Sequence, residues 1–118
     1  MDIILHNGQS VAVIDRTQKP DSVQAILDLM ADVQYQECSA MVFYKESLGE
    51  DFFDLKTRYA GNVLQKFSNY HTRLAIVGNF SVYKSNALRD FICECNKGNL
   101  VFFKSSLEEA LNALAPAR

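Results

Sequence analysis

A chain of 118 residues makes one domain, residues 1–118, with a core of ordinary size, and at 48% hydrophobic and 22% charged residues with two prolines it is neither low-complexity nor disordered. Twelve basic and fourteen acidic side chains, well mixed to a formal net charge of -2, leave no basic stripe for a nucleic-acid backbone. No run approaches the roughly 20 apolar residues of a membrane span, and the start MDIILHNGQS has neither a positive n-region nor a cleavage site, so no nucleic-acid or membrane partner is expected and a cytoplasmic location is.

Ile3 to His6 and Gln9 to Asp15 alternate around Asn7-Gly8, a dipeptide that takes positive φ at both turn positions, which predicts an opening antiparallel hairpin. Val23, Ile26, Leu27 and Met30 recur at helical spacing, with Asp21 expected as the cap, Gln24 completing its box, and an end near Tyr35. AMVFY at Ala40–Tyr44 predicts a buried strand leading into Lys45, Glu46 and Ser47. Phe53, Ala60, Val63, Leu64 and Phe67 carry a second helix ending near Tyr70; DFFDLKT before it is either the helix start or a shaped loop.

RLAIVG at Arg73–Gly78 is a central strand, and a polar loop leads to Ser85 or Asn86 as the cap of a third helix with Leu88, Phe91, Ile92 and Cys95 inward. Lys97-Gly98 predicts a left-handed stop. Leu100 to Phe103 is a last strand, and Ser106 with Glu109 a capping box for a final helix with Leu107, Ala110, Leu111 and Leu114 inward. Strands alternating with helices imply parallel pairing through crossovers: a single α/β domain with a mixed, mostly parallel sheet of about five strands, an N-terminal hairpin and about four helices.

Cys38, Cys93 and Cys95 lack the even framework of secreted domains, and residues two apart on a helix diverge, so reduced thiols, no metal and no cofactor are expected. The crevice beyond the carboxyl ends of the parallel strands is the default site. Converging loops bring to it Glu46 and Ser47, then Asn79, Ser81 and Tyr83, then Lys104 and Ser105, with Asp54, Lys56 and Thr57 before the second helix. These residues either bind a small anion through lysine charge and free amides or cap local turns. Arg89 and Asp90 flank the core stripe of the third helix, as exposed charges or as a partner-binding surface in which Arg89 pairs with Asp54 or Asp90. His71 falls in a turn at the opposite end of the sheet, so no catalytic residues are assigned. Of the many aromatics, Phe52, Phe80 or Tyr83 are candidates for an exposed patch.

The element order is similar to the STAS domain, the sulfate-transporter and anti-anti-sigma-factor fold, whose third strand leads to a helix start carrying a phosphorylatable serine within Asp-Ser-Ser-Gly. Here Asp54-Leu55-Lys56-Thr57 stands nearest, without that serine. In detail, FFDLKT, AG followed by LQKF, Tyr70 before RLAIVG, FS, LRDFI and NKG resemble a bacterial family catalogued only as a domain of unknown function, number four-one-eight-zero. Asn62 and Asn79 depart from it where its members tend to carry acidic residues. The resemblance implies this fold and a bacterial cytoplasmic setting, with no assigned activity.

Three functions are consistent with these features. The first is a non-enzymatic, STAS-like regulatory module that binds a protein partner; the second a small-molecule or anion-binding protein, or weak enzyme, using the crevice; the third a regulator that forms a homodimer through an edge strand or the second helix.

Overall fold

The computed structural model describes residues 1–117. Its five strands are β1 (Asp2–His6), β2 (Gln9–Val13), β3 (Ala40–Tyr44), β4 (Arg73–Val77) and β5 (Val101–Lys104), and they lie in the sheet in that order. β1 and β2 are antiparallel; every later pair is parallel. The helices are α1 (Val23–Tyr35), α2 (Lys45–Leu48), α3 (Tyr59–Asn69), α4 (Asn86–Lys97) and α5 (Leu107–Leu114). The mixed α/β sheet with its N-terminal hairpin is as the alternation implies; the one helix not foreseen is the single turn α2, too short for a periodic signal.

Parallel strands that succeed one another in a single direction carry every same-handed crossover on one face. Accordingly α1, α3 and α4 share a face, packing Ile26, Met30, Val33, Ala60, Val63, Phe67 and Leu88 against Ala12, Met41, Phe43, Leu74, Ile76 and Phe103. The alternate strand residues Val11, Val13, Ala40, Val42, Ala75, Val77 and Phe102 meet α5 through Ala110, Leu111 and Leu114. Both faces of the central strands are therefore buried, which is why AMVFY and RLAIV read as continuous apolar runs.

Local chemistry sets the boundaries. Asn7 and Gly8 take φ of 49° and 83°, the two left-handed positions that a two-residue hairpin turn requires. Ser85 and Ser106 cap α4 and α5, accepting from the amides of Leu88 and Glu109 at 3.2 Å each. Three expectations are corrected. Ser22, not Asp21, caps α1, its hydroxyl accepting from Ala25 N–H at 3.1 Å, because the serine is one residue nearer the first turn. Gly98 stops α4 in an extended conformation (φ −91°, ψ −164°) rather than a left-handed one, leading straight toward β5. The Glu109 carboxylate reaches back to Ser105 rather than to the cap residue Ser106, accepting from its N–H at 3.1 Å and its hydroxyl at 2.7 Å.

DFFDLKT is the shaped loop of the two alternatives. Glu50–Phe53 and Leu55–Thr57 are two 3-10 turns, and α3 begins only after Arg58, whose φ of 61° breaks the helical path. Asp54 closes the second turn by accepting from Lys56 N–H at 3.1 Å, and the Thr57 hydroxyl lies 2.8 Å from both Asp51 O and Asp54 O. Each bond lies within this segment, so the loop's shape is written into its own sequence.

Candidate functional site

The carboxyl ends of β3, β4 and β5 open onto α2, the 3-10 turns, the loop Gly78–Ser85 and the start of α5. The middle of this crevice is occupied by the protein's own rings. Phe53 stacks on Tyr83 with centroids 5.2 Å apart and tilts against Phe80 at 5.9 Å, while Phe80 meets Phe103 edge-on at 5.3 Å. Phe52 and Tyr59 extend the cluster behind Phe53 through edge contacts of 5.1 and 5.9 Å. Offset and edge-on pairs at these separations are favourable beyond the area they bury.

Close approach at one glycine lets the plug form. A Cβ on Gly78 would lie 2.5 Å from Lys45 Cβ, so only glycine lets the end of β4 accept the Lys45 stem. The Lys45 ammonium then lies 4.7 Å from the centroid of the Tyr83 ring, a cation on an aromatic face. On the β3 side Arg16 stacks on Tyr44 at 3.9 Å and pairs with Glu46 at 3.2 Å.

The plug divides the expected site residues into two sets. Asp54, Lys56 and Tyr83 line an open groove of about 570 Å³ with Glu50, Asp51, Phe53, Leu55, Ser85 and Ala87. Arg89 lies beside it on the first turns of α4, its Nε donating to Tyr83 O at 3.1 Å, and Asp90 is exposed next to it. Asn79 and Ser81 fall on the other side, in a groove of about 470 Å³ with Phe80, Ile92, Lys104 and Glu109. Thr57 lines neither groove, because its hydroxyl closes the 3-10 turn.

Most polar groups expected to meet a ligand already have local partners. Asn79 Oδ1 accepts from Ser81 N–H at 3.1 Å and from its hydroxyl at 2.6 Å, and Ser85 caps α4. The amide and hydroxyl of Ser105 are held by Glu109, whose carboxyl pKa is lowered by these bonds; the position foreseen for an anion holds the chain's own carboxylate. Ser47 is 2% exposed, with its hydroxyl 3.4 Å from Arg16 O. Arg89 forms no ion pair with Asp54 or Asp90; among the described residues the ion pairs are Arg16–Glu46 and Glu94–Lys97. Phe52, a candidate for an exposed patch, is 1% exposed, because the first 3-10 turn rotates it into the core. His71 is exposed in the turn before β4, at the far end of the sheet.

Two tyrosines bear on the site: Tyr83, which the loop reading gathers there, and Tyr59, which carried no sequence signal. The hydroxyls of Tyr59 and Tyr83 are shielded from solvent and make no hydrogen bond of standard geometry. Burial, then the Asp21 and Asp51 carboxylates, raise the Tyr59 pKa; burial, then the nearby Glu50 carboxylate, push that of Tyr83 up to about 12. Neutral tyrosine is thus the form the fold favours at position 83. That contribution is complete below the ordinary tyrosine pKa of about 10 and is lost as pH rises from there through about 12. A Tyr83→Phe variant is expected to keep more of its stability across that interval, read as the difference in unfolding midpoint from wild type at pH 9 and at pH 12; equal losses in both proteins would refute the assignment.

Among the described residues no group of three His, Cys, Asp or Glu is placed to hold a metal, and no helix is long and apolar enough to cross a membrane. Cys93 is exposed, whereas burial raises the thiol pKa of Cys38 and Cys95. No curated protein and no solved structure matches the chain. A family model described as "Domain of unknown function (DUF4180)" matches residues 6–114, from the last residue of β1 to the last of α5. Since the match takes in nearly the whole sheet, every helix and the plugged crevice, the chain belongs to that family.

Proposed function

We propose that this protein is a non-enzymatic, STAS-like regulatory module of the bacterial cytoplasm that binds a protein partner at the open groove formed by the two 3-10 turns and the start of α4. The observation that carries the reading is the aromatic plug: Phe53, Tyr83, Phe80 and Phe103 fill the crevice where a small ligand would be enclosed. Beside the plug, Lys56 and Arg89 present cations and Glu50, Asp51 and Asp54 carboxylates, a mixed rim around partly buried rings. Such a surface suits an extended polypeptide contact, with an apolar centre and a charged margin. The alternative, a small-molecule or anion-binding protein, is disfavoured by the plug and by the local bonds that occupy Ser81, Ser85 and Ser105.

A Lys56→Ala, Arg89→Ala double variant tests this reading, since both side chains are exposed and their removal is expected to change stability by no more than about 1 kcal/mol. The tagged wild-type protein is expected to retain a stoichiometric partner from its host's lysate that the folded double variant loses. A partner retained equally by both forms, or by neither, would overturn this assignment of the face.

A further inference from the structure

The two edges of the sheet are finished differently. At β5, Gly78 N–H donates to Lys104 O and Leu74 N–H to Leu100 O, so Phe103 turns its own N–H and C=O outward. Asn96 on α4 covers them, its Oδ1 accepting from Phe103 N–H at 2.8 Å and its Nδ2 donating to Phe103 O at 3.3 Å. This side-chain amide does the work of a neighbouring strand at Phe103.

β1 has no such cover. Ile14, which follows β2, donates its N–H to Val42 O at 2.9 Å, so the even-numbered residues of β2 bond toward β3, and Val11 and Val13 bond toward β1. Their register partners Ile4 and Asp2 therefore bond inward, as does His6 at the hairpin closure, and Ile3 and Leu5 direct their N–H and C=O out of the sheet. Among the described residues no side chain or loop bonds these outward groups. The side chains of Ile3 and Leu5 are 47% and 73% exposed. The strand contains no proline, lysine or bulge, the devices by which solitary edges are kept from pairing.

We infer that two copies of this chain pair antiparallel along β1 about a two-fold axis at Ile4, joining two five-stranded sheets into one. The sequence Asp2-Ile3-Ile4-Leu5-His6 is complementary to itself in that arrangement. Ile3 stands opposite the partner's Leu5, and both are residues whose backbone groups point outward, so the pair exchanges hydrogen bonds. Asp2 stands opposite the partner's His6 on the α5 side, where the His6 ring is already held by a 2.8 Å bond from Nε2 to Asn112 Oδ1. Ile3 and Leu5 of both copies form one apolar row on the other side. A slip of two residues, the smallest that keeps outward groups opposite each other, shortens the ladder and sets Ile4 against Asp2 in one direction or against His6 in the other. The groove of the proposed partner contact lies toward the β4–β5 edge, so pairing at β1 leaves it open in both copies.

Sedimentation equilibrium of the full chain across micromolar concentrations is expected to show a reversible species of twice the 13.3 kDa chain mass. Ile3→Pro removes an N–H that makes no bond within the chain, so a folded monomer is expected. Asp2→Lys removes the carboxylate that faces the partner's His6 at both symmetric positions and is expected to raise the dimer dissociation constant about tenfold; the Asp2→Lys, His6→Asp double variant sets a carboxylate opposite an ammonium again and restores it. Should Ile3→Pro not fold, the charge exchange decides alone. A monomer at every concentration, a dimer indifferent to Ile3→Pro, or an Asp2→Lys loss that the second exchange does not repair would each overturn the proposal.

Discussion

Phe53→Ala is expected to lower unfolding free energy by about 3 to 5 kcal/mol, the usual cost of emptying a packed aromatic position. Phe53 is 6% exposed and is the ring on which the others converge, touching Phe52, Phe80 and Tyr83. Its removal loses its own transfer free energy and leaves three neighbours facing a gap, which a rigid loop of two 3-10 turns cannot close by collapse. Phe53→Leu, which keeps much of the volume, is expected to cost roughly half as much. Urea denaturation of the three proteins is the measurement, with an unchanged slope showing that the same surface is exposed on unfolding. A cost below about 1 kcal/mol for Phe53→Ala would mean that the rings are not packed in solution. The crevice would then be open, and the small-ligand reading would regain its place.

Arg73→Ala is expected to loosen α5 from the sheet at a cost of about 2 to 4 kcal/mol. The last carbonyls of a helix have no intrahelical donors, and a cation there also meets the negative end of the helix dipole. Arg73, at the start of β4, supplies both: Nη1 donates to Leu114 O, Nη2 to Ala113 O at 3.3 Å, and Nε to Asn99 O at 2.8 Å. Its guanidinium carbon also lies 5.6 Å from the centroid of the Phe102 ring. Lysine keeps the charge but not the planar fork, so Arg73→Lys is expected to recover no more than about half the loss. Amide exchange resolves the site of the effect: in Arg73→Ala the α5 amides are expected to exchange well ahead of those of β3 and β4. Uniform acceleration across the sheet would show that Arg73 acts on global stability rather than on the seating of this helix.

Both residues illustrate a boundary in what the chain discloses. The hairpin is legible because Asn7-Gly8 carries its own backbone preference, and β3 and β4 because strands buried on both faces must be apolar throughout. Caps at Ser85 and Ser106 are legible for the same reason: each bond spans three residues. Even so, one cap falls on Ser22 instead of Asp21, since neighbouring residues with similar capping strength differ only in where the first turn begins.

The candidate site was legible as a neighbourhood and not as an arrangement. Alternation of strands and helices places the loops after β3, β4 and β5 at one end of the sheet, which gathers Asp54, Lys56, Asn79, Ser81, Tyr83 and Arg89 there. Whether these residues face one another depends on Phe53 stacking on Tyr83 and on Gly78 admitting the Lys45 stem. Those contacts join segments 30 or more residues apart and have no periodic signature. They place Asp54 and Lys56 on one side of the plug and Asn79 and Ser81 on the other.

By itself, then, the sequence determined the single α/β domain, the order of its main elements, the hairpin and the capped starts of the last two helices, all features governed by backbone preference and hydrophobic period within a few residues. Tertiary structure alone decided that the crevice is closed by aromatic rings, that Arg73 holds a helix 40 residues away, and that Asn96 covers Phe103 at one sheet edge while Ile3 and Leu5 of β1 are left open at the other. Each of these depends on groups far apart in the chain meeting at hydrogen-bonding or van der Waals distance, and such meetings exist only once the layers have packed.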